Sequence, residues 1–361
     1  MKTLVTALLL TFIFACKSDD TVPEITLDGS LYFPSSTAWE TQDKSTLGIT
    51  DKELSDLKSF LETNDTRAFL ILKDGKIVVE EYFGKDILNG SDFEQESLWY
   101  WASAGKSLTA FTVGLAQEQG LLNINDKTSD YLGENWTTLS KEKEDLITVK
   151  HQLSMTAGLD IDVADSHCFE PSCLQYKADA GQRWDYHNGP YTLLHDVLAS
   201  ASGKNFETYF EENLRDKIGM NGVWRFVDND HVYFSDARSF ARFGLLVLNK
   251  GDWGDEVIMS DKTFFDEMVN TSQSLNEAYG YLWWLNGKQT GMVPGLQTVF
   301  KSMLSPNAPS DMVAAMGLNG QLLNVVPSQN LVVVRMGDSP GGQIGLTFQN
   351  ALWSELNQIL D

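Results

Sequence analysis

The chain has 361 residues, 42% of them hydrophobic and 21% charged, the proportions of a packed globular protein with room for two lobes or one large domain. Fifty acidic side chains against 27 basic ones give a formal charge of −23. That balance speaks against nucleic-acid binding, which needs a basic patch to meet phosphates, and fits a well-solvated acidic surface.

The N-terminus reads as a leader. Lys2 precedes the apolar run Leu4–Ala15, too short to span a bilayer and typical of a signal peptide covering residues 1–15. The run ends in Ile13-Phe14-Ala15-Cys16, which resembles the lipobox of bacterial lipoproteins, so Cys16 is expected to carry lipid. The next residues, Lys17-Ser18-Asp19-Asp20, resemble the acidic tags that send some Gram-negative lipoproteins to the cell surface. The expectation is an exported lipoprotein of a bacterial, Gram-negative envelope, at the outer membrane or cell surface, held by its N-terminal lipid. Ordinary cleavage near Ala15 beside an incidental cysteine is the alternative. Cys168 and Cys173 then remain as an even pair, and in an oxidising compartment a short disulfide loop between them is expected. The five histidines are too scattered to suggest a metal site, and no cofactor is implied.

Residues 16–50 are polar and read as a tether and irregular arm. From 51 to 62, Leu54, Leu57, Phe60 and Leu61 recur at helical spacing, leaving Ser55 and Lys58 on or near the wet side. Arg67–Gly84 holds two β-branched and aromatic runs joined at Lys73-Asp74-Gly75-Lys76, a strong hairpin signal. From 103 to about 250 the chain reads as mostly helical, with segments at 103–120, 148–155, 191–202, 205–214 and 235–250. After Tyr279 the runs YGYLWWL, DMVAAMG, QLLNVVP and LVVVRMG are strand-like, and residues 345–360 close as a helix. The expected fold class is α/β (α+β): an antiparallel sheet flanked by helices (about 51–100 and 279–361) with an inserted all-helical lobe (about 103–278).

Ser103 and Lys106 stand three apart at the start of an apolar helix, after Trp99, Tyr100 and Trp101. Residues i and i+3 share a helix face, and a desolvated lysine beside a serine can lose its charge and take the hydroxyl proton. The helix N-terminus adds free N–H groups suited to an oxyanion. The same S-x-x-K spacing at Ser55–Lys58 and Ser140–Lys143 lies in charged, solvated segments and carries nothing. Gly105-Lys106-Ser107 is no phosphate-binding loop, because position 100 is Tyr rather than Gly. No G-x-S-x-G and no H-E-x-x-H occurs. A single Y-x-N, Tyr186-His187-Asn188, could add a phenol whose pKa a nearby lysine lowers, and an amide that holds lysine and substrate.

With Ser103-x-x-Lys106, QLSMTAGL at 152–159, Tyr186-x-Asn188 before GPYTLL and the strand–helix–strand order, the chain resembles the serine β-lactamase and penicillin-binding protein superfamily over nearly all of 51–360. The closest likeness is its class C-related branch of esterases, D-amino-acid peptidases and 6-aminohexanoate-oligomer hydrolases; the 83 residues from Ser103 to Tyr186 are similar to that branch. The resemblance implies a β-lactamase-like fold and an acyl-enzyme. Ser103 would be the nucleophile, Lys106 with Tyr186 the general base and acid, and Asn188 an orienting residue. The third motif of that family, K-T-G or H-x-G, would fall at Leu318-Asn319-Gly320, with Gln321 and Ser103 supplying the oxyanion N–H groups. Lys288-Gln289-Thr290-Gly291 is the weaker candidate. With Leu318 where the family keeps a cation, a small ester, a D-amino-acid peptide or an amide is the expected substrate, unless Arg183 substitutes for that cation. A true β-lactamase and a non-catalytic sensing or binding module remain the alternatives. Trp101, Trp184, Tyr191, Trp283 and Trp284 could line an acyl pocket or form core. The oligomeric state is not legible.

Overall fold

The computed structural model describes residues 31–338 and 345–360, so the leader, Cys16 and the tether to residue 30 lie outside it. Helix α1 (Asp51–Thr63) opens with a reciprocal cap, in which Thr50 accepts from Glu53 N–H and Glu53 accepts from Thr50 N–H. Strands β1 (Thr66–Lys73) and β2 (Lys76–Tyr82) follow, joined by Asp74 and Gly75 at φ 51° and 83°. Two left-handed residues give the turn whose twist matches the strands. A Cβ on Gly75 would also come within 2.0 Å of the Tyr32 carbonyl oxygen.

The short strand β3 (Trp99–Tyr100) leads to a 3-10 turn at Ala102–Gly105 and to α2 (Lys106–Glu118). Short helices α3 (Ser129–Leu132), α4 (Lys141–Glu144), α5 (Val149–Leu153), α6 (Asn188–Thr192), α7 (Leu194–Ser202) and α8 (Phe206–Phe210) surround it. Then come β4 (Val223–Val227) and β5 (Asp230–Ser235), α9 (Ala237–Leu248), the two-residue strands β6 (Asp252–Trp253) and β7 (Glu256–Val257), and α10 (Lys262–Met268). The chain ends in β8 (Trp284–Leu285), β9 (Val313–Gly317), β10 (Gln321–Val326), β11 (Leu331–Gly337) and α11 (Gly345–Leu356).

Six strands form one antiparallel sheet in the order β2-β1-β11-β10-β9-β8. Helix α9 packs against β1, β10 and β11, while Phe60 of α1 stacks on Phe348 of α11 at 6.1 Å between ring centroids. Central strands with helices on both faces lose polar alternation, and β10 and β11 are buried throughout. The α/β class with an inserted helix-rich lobe is therefore the architecture.

The lobe is not all helical. The hairpin β4–β5 pairs with β3, and its alternation (Val232, Phe234 against His231, Tyr233) is a strand pattern lying where helix was expected. Asp228 at φ 51° makes its turn. The described part of the arm is docked rather than loose: Thr41 bridges Ile77 at the edge of β2, and Arg242 donates to the carbonyls of Pro34 and Ile218 at 3.2 and 2.9 Å. This covers an edge that would otherwise be open to pairing.

Arg335, on β11, is fully buried and binds backbone rather than a carboxylate. Its guanidinium donates to the carbonyls of Asn319 (2.6 Å), Gly320 (3.1 Å) and Asn64 (2.6 Å), and to that of Asp338. It thus fixes the β9–β10 turn from behind. Replacing Arg335 with Met strands these acceptors, each worth about 1–3 kcal/mol when left unsatisfied. Chemical denaturation is expected to show a loss of at least ~3 kcal/mol; a loss below ~1 kcal/mol would mean that water replaces the guanidinium.

Candidate active site

The strand-to-helix turn that carries Ser103 is held from both sides. Trp101 N–H donates to Tyr233 O at 2.8 Å, and its ring stacks on Phe240 at 3.8 Å between centroids. Ser107 Oγ donates to Leu282 O at 2.8 Å. Between these anchors Ala102 adopts φ 47°, a conformation costing a non-glycine residue roughly 1–2 kcal/mol. The result is a half-buried, cleft-facing Ser103 one turn ahead of α2.

Lys106 is the first residue of α2, and its Nζ lies 3.2 Å from Ser103 Oγ. Its side chain is 5% exposed and sits over two aromatic rings, 4.2 Å from the Tyr191 centroid and 5.4 Å from that of Tyr186. Burial lowers its pKa to about 8, with Asp230 opposing from a distance. No carboxylate pairs with it among the described residues. Near neutral pH a fraction of the lysine is therefore uncharged and able to receive a serine proton.

Tyr186 borders the same cleft, and burial pushes its phenol well above the ordinary range, with Ser103 opposing. This corrects the expectation of a phenol acidified by lysine: Lys106 Nζ lies over the ring face, so desolvation dominates. A phenol that keeps its proton is a donor. Trp284 stacks on it at 5.9 Å between centroids and an 18° tilt.

Asn188 opens α6 and is buried in the cleft wall. Its Nδ2 faces His167 rather than Lys106, at 3.2 Å from Nδ1 and 3.3 Å from Nε2, and its Oδ1 has no partner. His167 and Asp230 are the residues that sequence reasoning missed. They sit on a loop and a hairpin tip 63 residues apart, and only the fold brings Nδ1 within 2.8 Å of both carboxylate oxygens.

The third motif divides. Gly317 packs its backbone against the turn that carries Ser103; a Cβ there would stand 2.3 Å from Trp101 O and 3.1 Å from Ala104 N. Leu318 and Asn319 follow at the cleft, with Leu318 73% exposed and Asn319 Nδ2 donating to the Tyr100 hydroxyl at 2.9 Å. Gly320 and Gln321 do not reach the cleft. Asn319 at φ 62° turns the chain back, Gly320 rests on Arg335, and fully buried Gln321 bonds Leu318 O and Gly337 O at 3.2 and 2.6 Å. Gln321 is thus no oxyanion donor; Leu318, just past the end of β9, is the residue of this turn that shares the cleft with Ser103, together with Asn319.

Lys288-Gln289-Thr290-Gly291 lies elsewhere, with Thr290 on Glu277 and Gly291 paired with Phe300. Arg183 pairs with Asp185 outside the cleft wall. Tyr191 and Trp284 line the cleft, whereas Trp101, Trp184 and Trp283 are core. The structure joins Cys168 and Cys173 in a disulfide with 5.9 Å between Cα atoms. The cleft measures about 1000 Å³ and is mostly apolar, with Ile87, Ile161, Val227, Met316 and Leu318 on its walls. Among its described residues Lys106 is the sole lysine or arginine.

A serine, a desolvated lysine and a protonated tyrosine thus share one cleft wall under a strand edge. A model of the Beta-lactamase family matches residues 66–345, and the chain belongs to that family. A relative from Alkalihalophilus pseudofirmus, described as an uncharacterized protein, is 24% identical over 310 residues, spanning 77% of this chain and 85% of its own. Among solved structures, a protein of Bacillus anthracis assigned as a 6-aminohexanoate-dimer hydrolase superposes with a TM-score of 0.66 at 19% identity, covering 91% of this chain and 89% of that one. A family VIII carboxylesterase gives 0.62 at 16% identity, covering 87% and 99%. These structures share the fold.

Holding Lys106 dry costs stability. A pKa moved from 10.5 to about 8 corresponds to roughly 3 kcal/mol, present in full below pH 8 and recovered as pH rises toward 10.5. Lys106→Met is therefore expected to raise the melting temperature at pH 7 while abolishing reaction at Ser103. A lower melting temperature would show that the lysine stabilises the fold.

Proposed function

We propose that this protein hydrolyses esters, and amides with good leaving groups, through an acyl-enzyme on Ser103. The observation that carries the reading is the 3.2 Å contact between Ser103 Oγ and a buried, unpaired Lys106. Neutral Lys106 takes the hydroxyl proton as Oγ bonds to the acyl carbon. The N–H groups of Ser103 and Leu318 receive the oxyanion. The Tyr186 phenol gives its proton to the departing alcohol or amine and is reprotonated by the Lys106 ammonium. Water then repeats the sequence on the acyl-enzyme, its proton passing to Lys106 and the acyl group leaving as acid while Ser103 regains its proton.

The preferred substrate is an apolar acyl donor without a carboxylate. Apart from Lys106 no described lysine or arginine lines the cleft, and its carboxylates, Asp162 and Asp230, would repel an anion. Leu318, 73% exposed on the rim, suits an apolar group. This favours esterase or amidase work over turnover of penicillins, whose carboxylate needs a cation. Intact Ser103, Lys106 and Tyr186 favour catalysis over a binding module.

The test is to treat the protein with an alkyl fluorophosphonate, benzylpenicillin and a short-chain nitrophenyl ester, locating adducts by mass. The expected result is phosphonylation of Ser103, ester turnover and no lasting or turned-over penicillin adduct. Penicillin hydrolysis at rates matching the ester would overturn the substrate assignment. No adduct with any reagent would leave a binding module.

A further inference from the structure

Exposed apolar side chains gather at the opening of the cleft. Ile87, Val227 and Leu318 stand exposed while lining it, and Leu88, Phe226 and Leu296 each adjoin a residue that lines it. Four separate segments thus bring apolar groups to one opening: the loop between β2 and β3, the β4–β5 hairpin, the loop after β8 and the β9–β10 turn. Leu88 is 85% exposed and Leu296 49%, so the core holds neither. A contiguous set of this kind marks a binding surface, whereas exposed apolar residues scattered singly do not.

The loop after β8 is built for the purpose. Gly291 and Phe300 close its base by exchanging backbone hydrogen bonds at 3.0 and 2.8 Å. Gln297 ties it beside Tyr186, its Nε2 donating to Trp184 O at 3.0 Å and to Asp185 Oδ1 at 2.5 Å. These bonds fix the loop while Leu296, Val299, Phe300 and Lys301 face water. Its charge is as unusual as its apolarity. The chain has 50 acidic residues among 361, yet none falls between Glu277 and Asp311, where Lys288 and Lys301 are the only charged side chains. Two carboxylates bond to the loop, Glu277 through Thr290 and Asp185 through Gln297, and Arg183 pairs with the second. The segments of Ile87 and Val227 instead carry Asp86, Asp92, Asp228 and Asp230, so an anionic surface is drawn to the loop after β8 and not to them.

An occupant of this surface must cover the apolar rim and still leave Ser103 supplied. A protein seated across the opening would close the route into the cleft. A lipid surface covers the rim and supplies the substrate itself, with Leu296, Val299 and Phe300 among its acyl chains and Lys288 and Lys301 among its phosphates. We propose that the loop 288–301 docks the cleft on an anionic lipid surface, and that the acyl donor is an amphiphilic ester or amide drawn from it. The cleft, about 1000 Å³ and apolar at Ile161, Met316 and Leu346, has room for an aliphatic chain. The substrate class deepens the hydrolase reading and rests on it; the docking is measured without turnover.

Leu31–Asp361 is a compact unit on its own contacts, so the chain from Leu31 onward serves for the test, free of the leader. Co-sedimentation with phosphatidylcholine–phosphatidylglycerol vesicles is expected to show binding. Leu296→Glu with Val299→Glu should weaken it at least about tenfold, and Lys288→Ser with Lys301→Ser about thirtyfold. None of the four residues lines the cleft, so both double variants should keep the melting temperature and the turnover of a water-soluble short-chain nitrophenyl ester. Turnover of a long-chain nitrophenyl ester carried in the vesicles should fall with the binding. No vesicle binding by the unaltered chain, or binding that both double variants leave unchanged, overturns the proposal. A soluble dimer that Leu296→Glu with Val299→Glu dissociates would put a second copy on the loop and overturn the lipid assignment. Loop-dependent vesicle binding without Ser103 phosphonylation would uphold the docking and overturn the hydrolase reading instead.

Discussion

The site depends on keeping one ammonium group out of water. Lys106 enters the helix at its positive end, surrounded by the faces of Tyr186 and Tyr191, with no carboxylate in contact among the described residues. Water would hold the lysine charged and useless as a base; a carboxylate would do so more firmly. Aromatic faces compensate part of the lost hydration without fixing the proton. The same burial that lowers the pKa of Lys106 raises that of Tyr186, so one dry wall holds both groups of the proposed proton relay.

The second constraint is the approach of a strand to the turn that carries Ser103. Gly317 lies so close to Trp101 O that no side chain fits, and Arg335 grips the following turn through the carbonyls of Asn319 and Gly320. The buried guanidinium therefore acts on the chemistry at one remove, by holding Leu318 at the mouth of the cleft. Tyr100 joins the two parts, since its hydroxyl accepts from Asn319 and donates to Asp338.

Much of this was legible in the chain. The Asp74-Gly75 turn, the S-x-x-K pair and the single Y-x-N are local patterns whose chemistry survives without coordinates. The β4–β5 hairpin was lost because its strands, at Val223–Val227 and Asp230–Ser235, lie between helical stretches, and burial alternation is short there. Gln321 was misplaced because a motif gives order along the chain, whereas the left-handed Asn319 reverses its direction. The His167–Asp230 pair has no motif at all. Its two halves meet through a disulfide loop and a hairpin tip, a relation that spacing does not encode.

The proposed preference for an acyl donor without a carboxylate rests on the same geometry, a cleft with two carboxylates and one lysine. The central claim, that a desolvated Lys106 activates Ser103, is tested most directly by the pH dependence of Ser103 phosphonylation at subsaturating fluorophosphonate. The account predicts a rate that rises with pH to a plateau, with its principal midpoint near 8, the value to which burial draws Lys106. A midpoint near the ordinary lysine value of 10.5, or a rate independent of pH from 6 to 9 (~3 units spanning that range), would contradict it.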